Sequence, residues 1–411
     1  MEALTDSPAM RSAGRGPLSL ALMDARNHTL QLLSVLEHAL GPAVTQPLAG
    51  EPPLAWTAGH VGWLAEYWIG RNPQRGQGPD CPPQPTCLAS VEPQADGWFS
   101  PQLRGAGGAW PADLPELNTV RAYLLDTFET TQDLLDKAAE DDRGLHFFRM
   151  ALWHEDWRGE QLVVLAQTLG IALPLHLPPG GATREPVALP ATRWTLGWHE
   201  AGFARDIERG ALAIDVPEFE IDAQPVTWAQ YVEFIDDGGY DREELWDAPG
   251  WRWLQQQAAG EGRRGPRHVE QIGVASGAVL QAIFGKPTRL GAGQPAMHVT
   301  WWEADAYARW AGRRLPTEVE WEIAAHAASR RGFRWGEVWE WTAGTLKPWP
   351  GFVPDVWAAD AALDASVAFN TASALRGASF ATRARMKHPK ARAWAMREDD
   401  RGFTGFRTCS A

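Results

Sequence analysis

Apolar residues recur at helical spacing through the first ~175 positions of this 411-residue chain, and the pattern then breaks on prolines and glycines. That break sets the architecture. Positions 18–40 carry Leu22, Ala25, Leu32, Val35, Leu36 and Leu40 at helical spacing and stop at Gly41. A second helical segment spans 54–69 and stops at Gly70, and two more span 118–139 and 145–169, the last closed by Gly170. A Gly- and Pro-rich excursion over 71–115 separates the two pairs. Four helices with one long connection bury their apolar faces most simply as a four-helix bundle.

From 174 to 192 the pattern dissolves into Pro, Gly and Thr, including Leu177-Pro-Pro-Gly-Gly-Ala-Thr183, which is linker composition. Beyond it, strand-like runs at 211–216 and 219–221 mix with helices at 228–234 and 302–311, with long loops between them. The expected organisation is therefore a bundle over 15–175, a linker over 176–192 and an α+β domain over 193–411.

Composition narrows the function classes. With 45% hydrophobic and 22% charged residues the chain has enough apolar surface for real cores, so disorder is excluded as its main state. A net charge of −13 argues against a basic surface for nucleic acid or anionic lipid. No run of 18 apolar residues occurs, and the N-terminal residues lack a signal-peptide layout, so the expectation is a cytoplasmic protein without a membrane partner. Cys81, Cys87 and Cys409 cannot form a disulfide framework and read as thiols. Twenty-three tryptophans against 5 tyrosines are unusual, because indoles bury large area and offer a π-face to cations.

Five ordered motifs occupy the C-terminal half. They are Pro225-Val-Thr-Trp-Ala-Gln-Tyr-Val-Glu-Phe234, the run from His298-Val-Thr-Trp-Trp through Leu315-Pro-Thr-Glu-Val-Glu-Trp321, Gly336-Glu-Val-Trp-Glu-Trp-Thr342, Leu375-Arg-Gly-Ala-Ser-Phe380 and Gly402-Phe-Thr-Gly-Phe-Arg407. The series resembles the formylglycine-generating-enzyme (sulfatase-modifying-factor) domain, a C-type-lectin-like fold, over about 193–411. Most of these residues read as scaffold, with Arg314, Glu318, Glu320 and Trp321 in ion pairs and packing. Formylglycine-generating enzymes need a late cysteine pair for copper, and no cysteine lies between Arg376 and Arg407, so that activity is not expected.

In the first half, Trp56-Thr-Ala-Gly-His60 and Leu152-Trp-His154-Glu-Asp-Trp157-Arg158-Gly-Glu160 resemble the metal-binding helices of DinB-like four-helix bundles. A DinB-like bundle fused to this lectin-like domain resembles the ergothioneine- and ovothiol-type sulfoxide synthases, non-haem iron enzymes that join a chalcogen to the imidazole of a histidine derivative. The resemblance implies Fe(II) as cofactor, O2 and hercynine as substrates, and His60 and His154 as metal ligands. The family's third histidine falls at Arg158, whose guanidinium stays protonated and cannot ligate. Arg158 becomes instead a candidate anchor for an anion.

Further matched positions also depart from the family. Its catalytic tyrosine becomes Leu346, leaving the catalytic group unassigned, and a second tyrosine lining the hercynine site becomes Trp349. The Asp and Arg that hold γ-glutamylcysteine in one branch fall at Ala395 and Asp399, whereas Trp394 is kept and Trp157 stands where that branch has a Gln. The resemblance therefore implies substrate contacts at Trp157, Trp349, Trp394 and Ala395, with the three indoles boxing the trimethylammonium group. Core packing is the alternative for those indoles. Loss of the peptide handles and the tyrosine resembles the selenoneine-forming branch, which joins hercynine to a selenosugar. A thiol-using sulfoxide synthase and a non-catalytic hercynine-binding module remain as alternatives, since Arg158 and Leu346 both replace reactive groups.

Overall fold

The computed structural model describes residues 5–48, 50–101, 110–257, 263–273, 278–358 and 363–411. Part of the excursion expected over 71–115, positions 102–109, lies outside the described residues. Four long helices pack as the first half's bundle: α1 (Arg15–Leu40), α2 (Leu54–Ala65), α4 (Leu117–Leu135) and α5 (Asp142–Leu169). A short helix α3 (Ala95–Phe99), absent from the periodic pattern, lies within the excursion and packs on α2. Every residue of α2 is buried, so it is the bundle's central helix. It does not run on regularly to position 69. After Ala65 the hydrogen bonding widens to a π-turn over Glu66–Gly70, closed by Arg71 N–H donating to the Glu66 carbonyl at 2.7 Å.

Helix α5 has sharply defined ends. The Asp141 side chain accepts from the Gly144 N–H at 2.7 Å, and Gly170 takes a left-handed φ of 68° that satisfies the last carbonyls. The first strand begins at Val187, past the Pro-Gly segment.

The second half is a mixed, C-type-lectin-like α+β fold. Two-stranded sheets pair β1 (Val187–Leu189) with β4 (Phe219–Ile221), and β2 (Thr192–Leu196) with β3 (Leu212–Val216), both antiparallel. A hairpin sheet links β5 (Val269–Gly273), β6 (Ala278–Ile283) and β7 (Lys286–Leu290). The central sheet has the order β10-β9-β8-β11, with β8 (Trp339–Trp341), β9 (Ser373–Gly377), β10 (Arg392–Ala395) and β11 (Thr404–Phe406). In it β9 is antiparallel to both neighbours, while β11 runs parallel to β8. Helices α6 (Trp228–Asp236), α7 (Ala248–Gln257), α8 (Trp301–Trp310) and α9 (Glu318–Ala327) surround these sheets. Capping boxes at Thr300/Glu303 and Thr317/Glu320 start α8 and α9. The motif residues of the second half are scaffold here: Arg314 holds Glu320 at 2.7 and 2.9 Å, and the Trp321 indole donates to Glu340.

One hydrophobic core runs through both halves, joining Leu36 and Phe147 to Trp301 and Phe406. Polar ties cross the same boundary. Gln167 on α5 donates to the Ala282 carbonyl and accepts from Phe284 N–H, and Asp156 on α5 takes two hydrogen bonds from Arg385 at 2.6 and 2.7 Å. Among the described residues no helix is long and apolar enough to cross a membrane.

Arg11, in a 3-10 turn over Pro8–Ser12, grips both oxygens of Glu208 at 2.8 and 3.0 Å, and both side chains are almost fully buried. Burial pushes the Glu208 carboxyl up, but Arg11 outweighs it and holds the group at about 2 against an ordinary 4.5. A lowered carboxyl contributes stability in full above pH 4.5 and loses it as the pH falls through 4.5 towards 2. Arg11→Met should cost about 3–5 kcal/mol at pH 7 and flatten the acid limb in that window. Urea unfolding at pH 7 and pH 3 checks both effects.

Candidate active site

Helix α5 carries two functional stripes. Trp153, Trp157, Glu160, Val164 and Gln167, spaced by three or four residues, and Asp156 beside them meet the second half or the space in front of it. His154 and Arg158, four apart, lie together and close to α2. Two jobs thus share one helix.

On α2, Gly59 and His60 explain each other. A Cβ on Gly59 would lie 2.1 Å from the Phe99 ring, so glycine lets Phe99 approach, and the Phe99 carbonyl then meets His60 Nδ1 at 2.8 Å. A carbonyl only accepts, so Nδ1 carries the hydrogen and Nε2 keeps its lone pair. Trp56 stacks on the His60 ring with centroids 4.5 Å apart and planes 9° apart. The His60 and His154 rings stand 5.3 Å apart at 78°, both buried.

These two imidazoles suit a metal. Adjacent ligands on one ion at metal–nitrogen distances of about 2.1 Å bring their ring centres to roughly 5 Å. The third matched position does not. Arg158 Nε donates to His154 Nε2 at 3.3 Å, and the guanidinium lies over the rings of Trp56 at 5.4 Å and Trp157 at 4.6 Å. Any metal here competes with Arg158 for one imidazole lone pair. Among the described residues no group of three or more His, Cys, Asp or Glu side chains is disposed to hold a metal.

In front of Arg158 a cleft opens between α5 and β10. Its inner lobe, about 170 Å³, is lined by Trp153, Trp157, Glu160, Trp339 and Trp394. Its outer lobe, about 370 Å³, shares Trp157 and Trp394 and adds Arg158 and Thr57. Arg158 therefore stands at the wall between the cleft and the histidine pair. The polar lining is mostly engaged. Glu160 accepts from Trp339 Nε1, Ser379 and Thr382, Arg11 holds Glu208, and Arg401 pairs with both Asp399 and Glu51.

The residues singled out from the sequence divide accordingly. Trp157, Trp394 and Ala395 line both lobes, as does Asp399. Trp349 does not line either lobe. Its ring nests against Gly197, where a Cβ would lie 2.5 Å away, and the Arg392 guanidinium covers it at 4.5 Å. Trp153 and Trp339 supply further indoles to the cavity in its place. Leu346 is fully buried in a small cluster with Ala368, Ala372 and Ala374, against which Trp394 packs. It backs the cavity wall and presents no reactive group. Sequence reasoning passed over Trp153, which the four-residue spacing to Trp157 could have revealed, and Arg205, which sits between strands without any periodic signal.

Comparison with known proteins assigns the class. Residues 21–163 match the DinB superfamily and residues 180–337 the sulfatase-modifying factor enzyme 1-like domain. The hercynine oxygenase of Mycolicibacterium thermoresistibile is 31% identical over 437 residues, covering 92% of this chain and 91% of that protein. Those of Mycolicibacterium smegmatis and Mycobacterium tuberculosis are 30% and 31% identical, covering 84% and 83% of this chain and 86% of each relative. The chain belongs to the ergothioneine-type DinB/formylglycine-generating-enzyme-like family that holds these hercynine oxygenases.

Gly59→Ala should overpack the α2–Phe99 contact and cost roughly 1–3 kcal/mol. Urea midpoints measure the loss, and near-ultraviolet circular dichroism should register the disturbed Trp56–His60 stack.

Proposed function

We propose that the chain binds hercynine in the cleft between α5 and β10 and joins its imidazole C2 to the selenium of a selenosugar, using Fe(II) and O2. The observation that carries this reading is the juxtaposition of an indole-lined cavity, with Trp157 and Trp394 in both lobes, and a buried histidine pair behind Arg158. The relatives' names, hercynine oxygenase, supply the substrate. Desolvated indole faces attract a permanent methylated cation by ~2 kcal/mol or more, and attract a hydrated ammonium less. His60 and His154 would hold the iron, which when bound supplies the electron transfer that lets O2 react.

The net reaction balances with one O2. The C2–H and Se–H hydrogens leave with one oxygen atom as water, the other oxygen stays on selenium, and a C2–Se bond forms. Selenols are more acidic than thiols, so a selenolate is available near neutral pH, and attack at C2 depends less on a tyrosine proton and electron partner. Leu346, sealed in an apolar cluster, is compatible with that reduced demand. An uncharged donor is supported by Arg401, whose guanidinium is held by Asp399 and Glu51, and by Ala395, which offers no charge.

A second reading has its own observation. The hydrogen bond from Arg158 to His154 Nε2 would equally suit a hercynine-binding module without metal. Iron content separates the two.

His60→Ala and His154→Ala should each abolish Fe(II) binding, and Arg158→His should tighten it while lowering turnover. Full iron in either alanine variant would move the metal elsewhere. In parallel reactions with hercynine, Fe(II) and O2, mass spectrometry should find the C2 adduct with a selenosugar in excess over γ-glutamylcysteine. Equal or greater product from the thiol returns the chain to sulfur chemistry. Calorimetry should rank hercynine above histidine, with Trp394→Ala erasing the difference.

A further inference from the structure

Four arginines other than Arg158 line the cleft, and three are committed. Arg11 grips Glu208, Arg392 holds Glu318 through two bonds of 2.7 Å, and Arg401 pairs with Asp399 and Glu51. The fourth, Arg205, differs. It lines both lobes, is 6% exposed, and lies over the Trp153 ring at 4.6 Å. Among the described residues its guanidinium makes no hydrogen bond and no ion pair, and its Nε is buried without an acceptor. Its hydrogen bonds are made by the backbone: the N–H donates to the Glu208 carboxylate at 3.0 Å, and the carbonyl accepts from the Glu208 and Arg209 N–H groups, each at 3.0 Å.

An arginine that is nine-tenths buried and has no ion-pair partner is costly, unless a ligand completes it; the Glu208 carboxylate lies near Arg205, but Arg11 holds both its oxygens. The same inner lobe holds the converse group. Glu160 is buried there with neutral donors only, from Trp339, Ser379 and Thr382, and no ion pair among the described residues. A guanidinium and a carboxylate that each lack an ion pair among the described residues thus face a single cavity whose walls carry several indoles.

We propose that Arg205 is the binding site for a carboxylate, so that the cleft takes a zwitterion. The quaternary ammonium rests on the indole faces under the field of Glu160, and the carboxylate takes the free N–H groups of Arg205. The Trp153 ring holds the guanidinium plane in place from one side, which leaves its edge for a two-point contact. This assignment rests on the hercynine reading for the identity of the ligand, but the anion site stands or falls separately. It also gives a reason for discrimination among methylated imidazoles: a ligand with the cation and no carboxylate loses one of its two anchors.

Calorimetry on the full-length protein tests it, with three probes: hercynine, its decarboxylated analogue N,N,N-trimethylhistamine, and imidazolepropionate, which has the carboxylate and no ammonium. Wild-type protein should bind hercynine on the order of ten- to a hundredfold more tightly than trimethylhistamine. Arg205→Gln should weaken hercynine by a similar factor and leave trimethylhistamine unchanged, and Arg205→Lys should recover part of the loss. Equal affinities of the wild-type protein for hercynine and trimethylhistamine overturn the proposal, as does an Arg205→Gln variant that loses both ligands alike. If hercynine does not bind but imidazolepropionate does, and Arg205→Gln abolishes it, the hercynine reading fails and the anion site stands. Absence of binding by either carboxylate overturns the site. Should Arg205→Gln not fold, the wild-type comparison of hercynine with trimethylhistamine decides alone.

Discussion

The geometry of the whole cleft depends on one buried carboxylate. Glu160 of α5 takes hydrogen bonds from the Trp339 indole on β8 and from Ser379 and Thr382 in the loop after β9, at 2.6–2.9 Å. Each donor is neutral, and together they fill lone pairs on both carboxylate oxygens. Charge-assisted bonds of this kind, closed off from water, fix distance and direction better than apolar packing can. Rotation of α5 by a single residue would turn Glu160 away through ~100° and break every one of them. The register they impose places Trp157, one turn before Glu160, opposite Trp394 on β10. The same register aims His154 and Arg158 back into the bundle towards His60.

That division explains how a bundle and a lectin-like domain make one site. The bundle contributes buried imidazoles from α2 and α5, and the second half contributes the wall of β10 and the arginines around it. Neither half encloses the cavity alone. Arg158 sits at the join, touching His154 by a hydrogen bond and Trp157 through its π-face. A fixed positive charge beside an imidazole pair disfavours further positive charge there, so a divalent ion is held less tightly than by three neutral histidines. On the proposed function, weak and exchangeable metal binding is the expected consequence of arginine at this position.

Much of this was legible in sequence, and the failures have local causes. The bundle helices α1 and α4 announced themselves because each buries one face at a 3.6-residue period, and α2, buried all round, showed as a continuous apolar run closed by Gly70. Glycines marked their ends for a stereochemical reason, shown by the left-handed φ of Gly170. Helix α9 gave an equally good signal in Thr317 and Glu320, but lay inside a motif read for ion pairs and packing rather than for capping. Trp349 could be matched by position to a site-lining tyrosine, yet its seat was decided by Gly197 and Arg392, which are distant in sequence. Arg205 was invisible for the opposite reason. It lies in irregular backbone between β2 and β3, where no periodicity distinguishes a buried side chain from an exposed one, and only the third dimension shows that it lacks a carboxylate.

Net charge misleads in a similar way. A value of −13 over the chain suggests a preference for simple cations, but it averages over a surface from which the cleft is shielded. Within the cleft the field is set by nearby groups, and most of these are held in ion pairs: Arg11 with Glu208, and Arg401 with both Asp399 and Glu51. Among the described residues, Arg205 on one part of the wall and Glu160 on another are the charged groups left without an ion pair. A bare cation would answer only Glu160, and a bare anion only Arg205. Because both residues are desolvated before the ligand arrives, each contact made with an opposite charge counts for more than it would in water. The cavity therefore favours a molecule that carries a cation and an anion together, held flat between tryptophans.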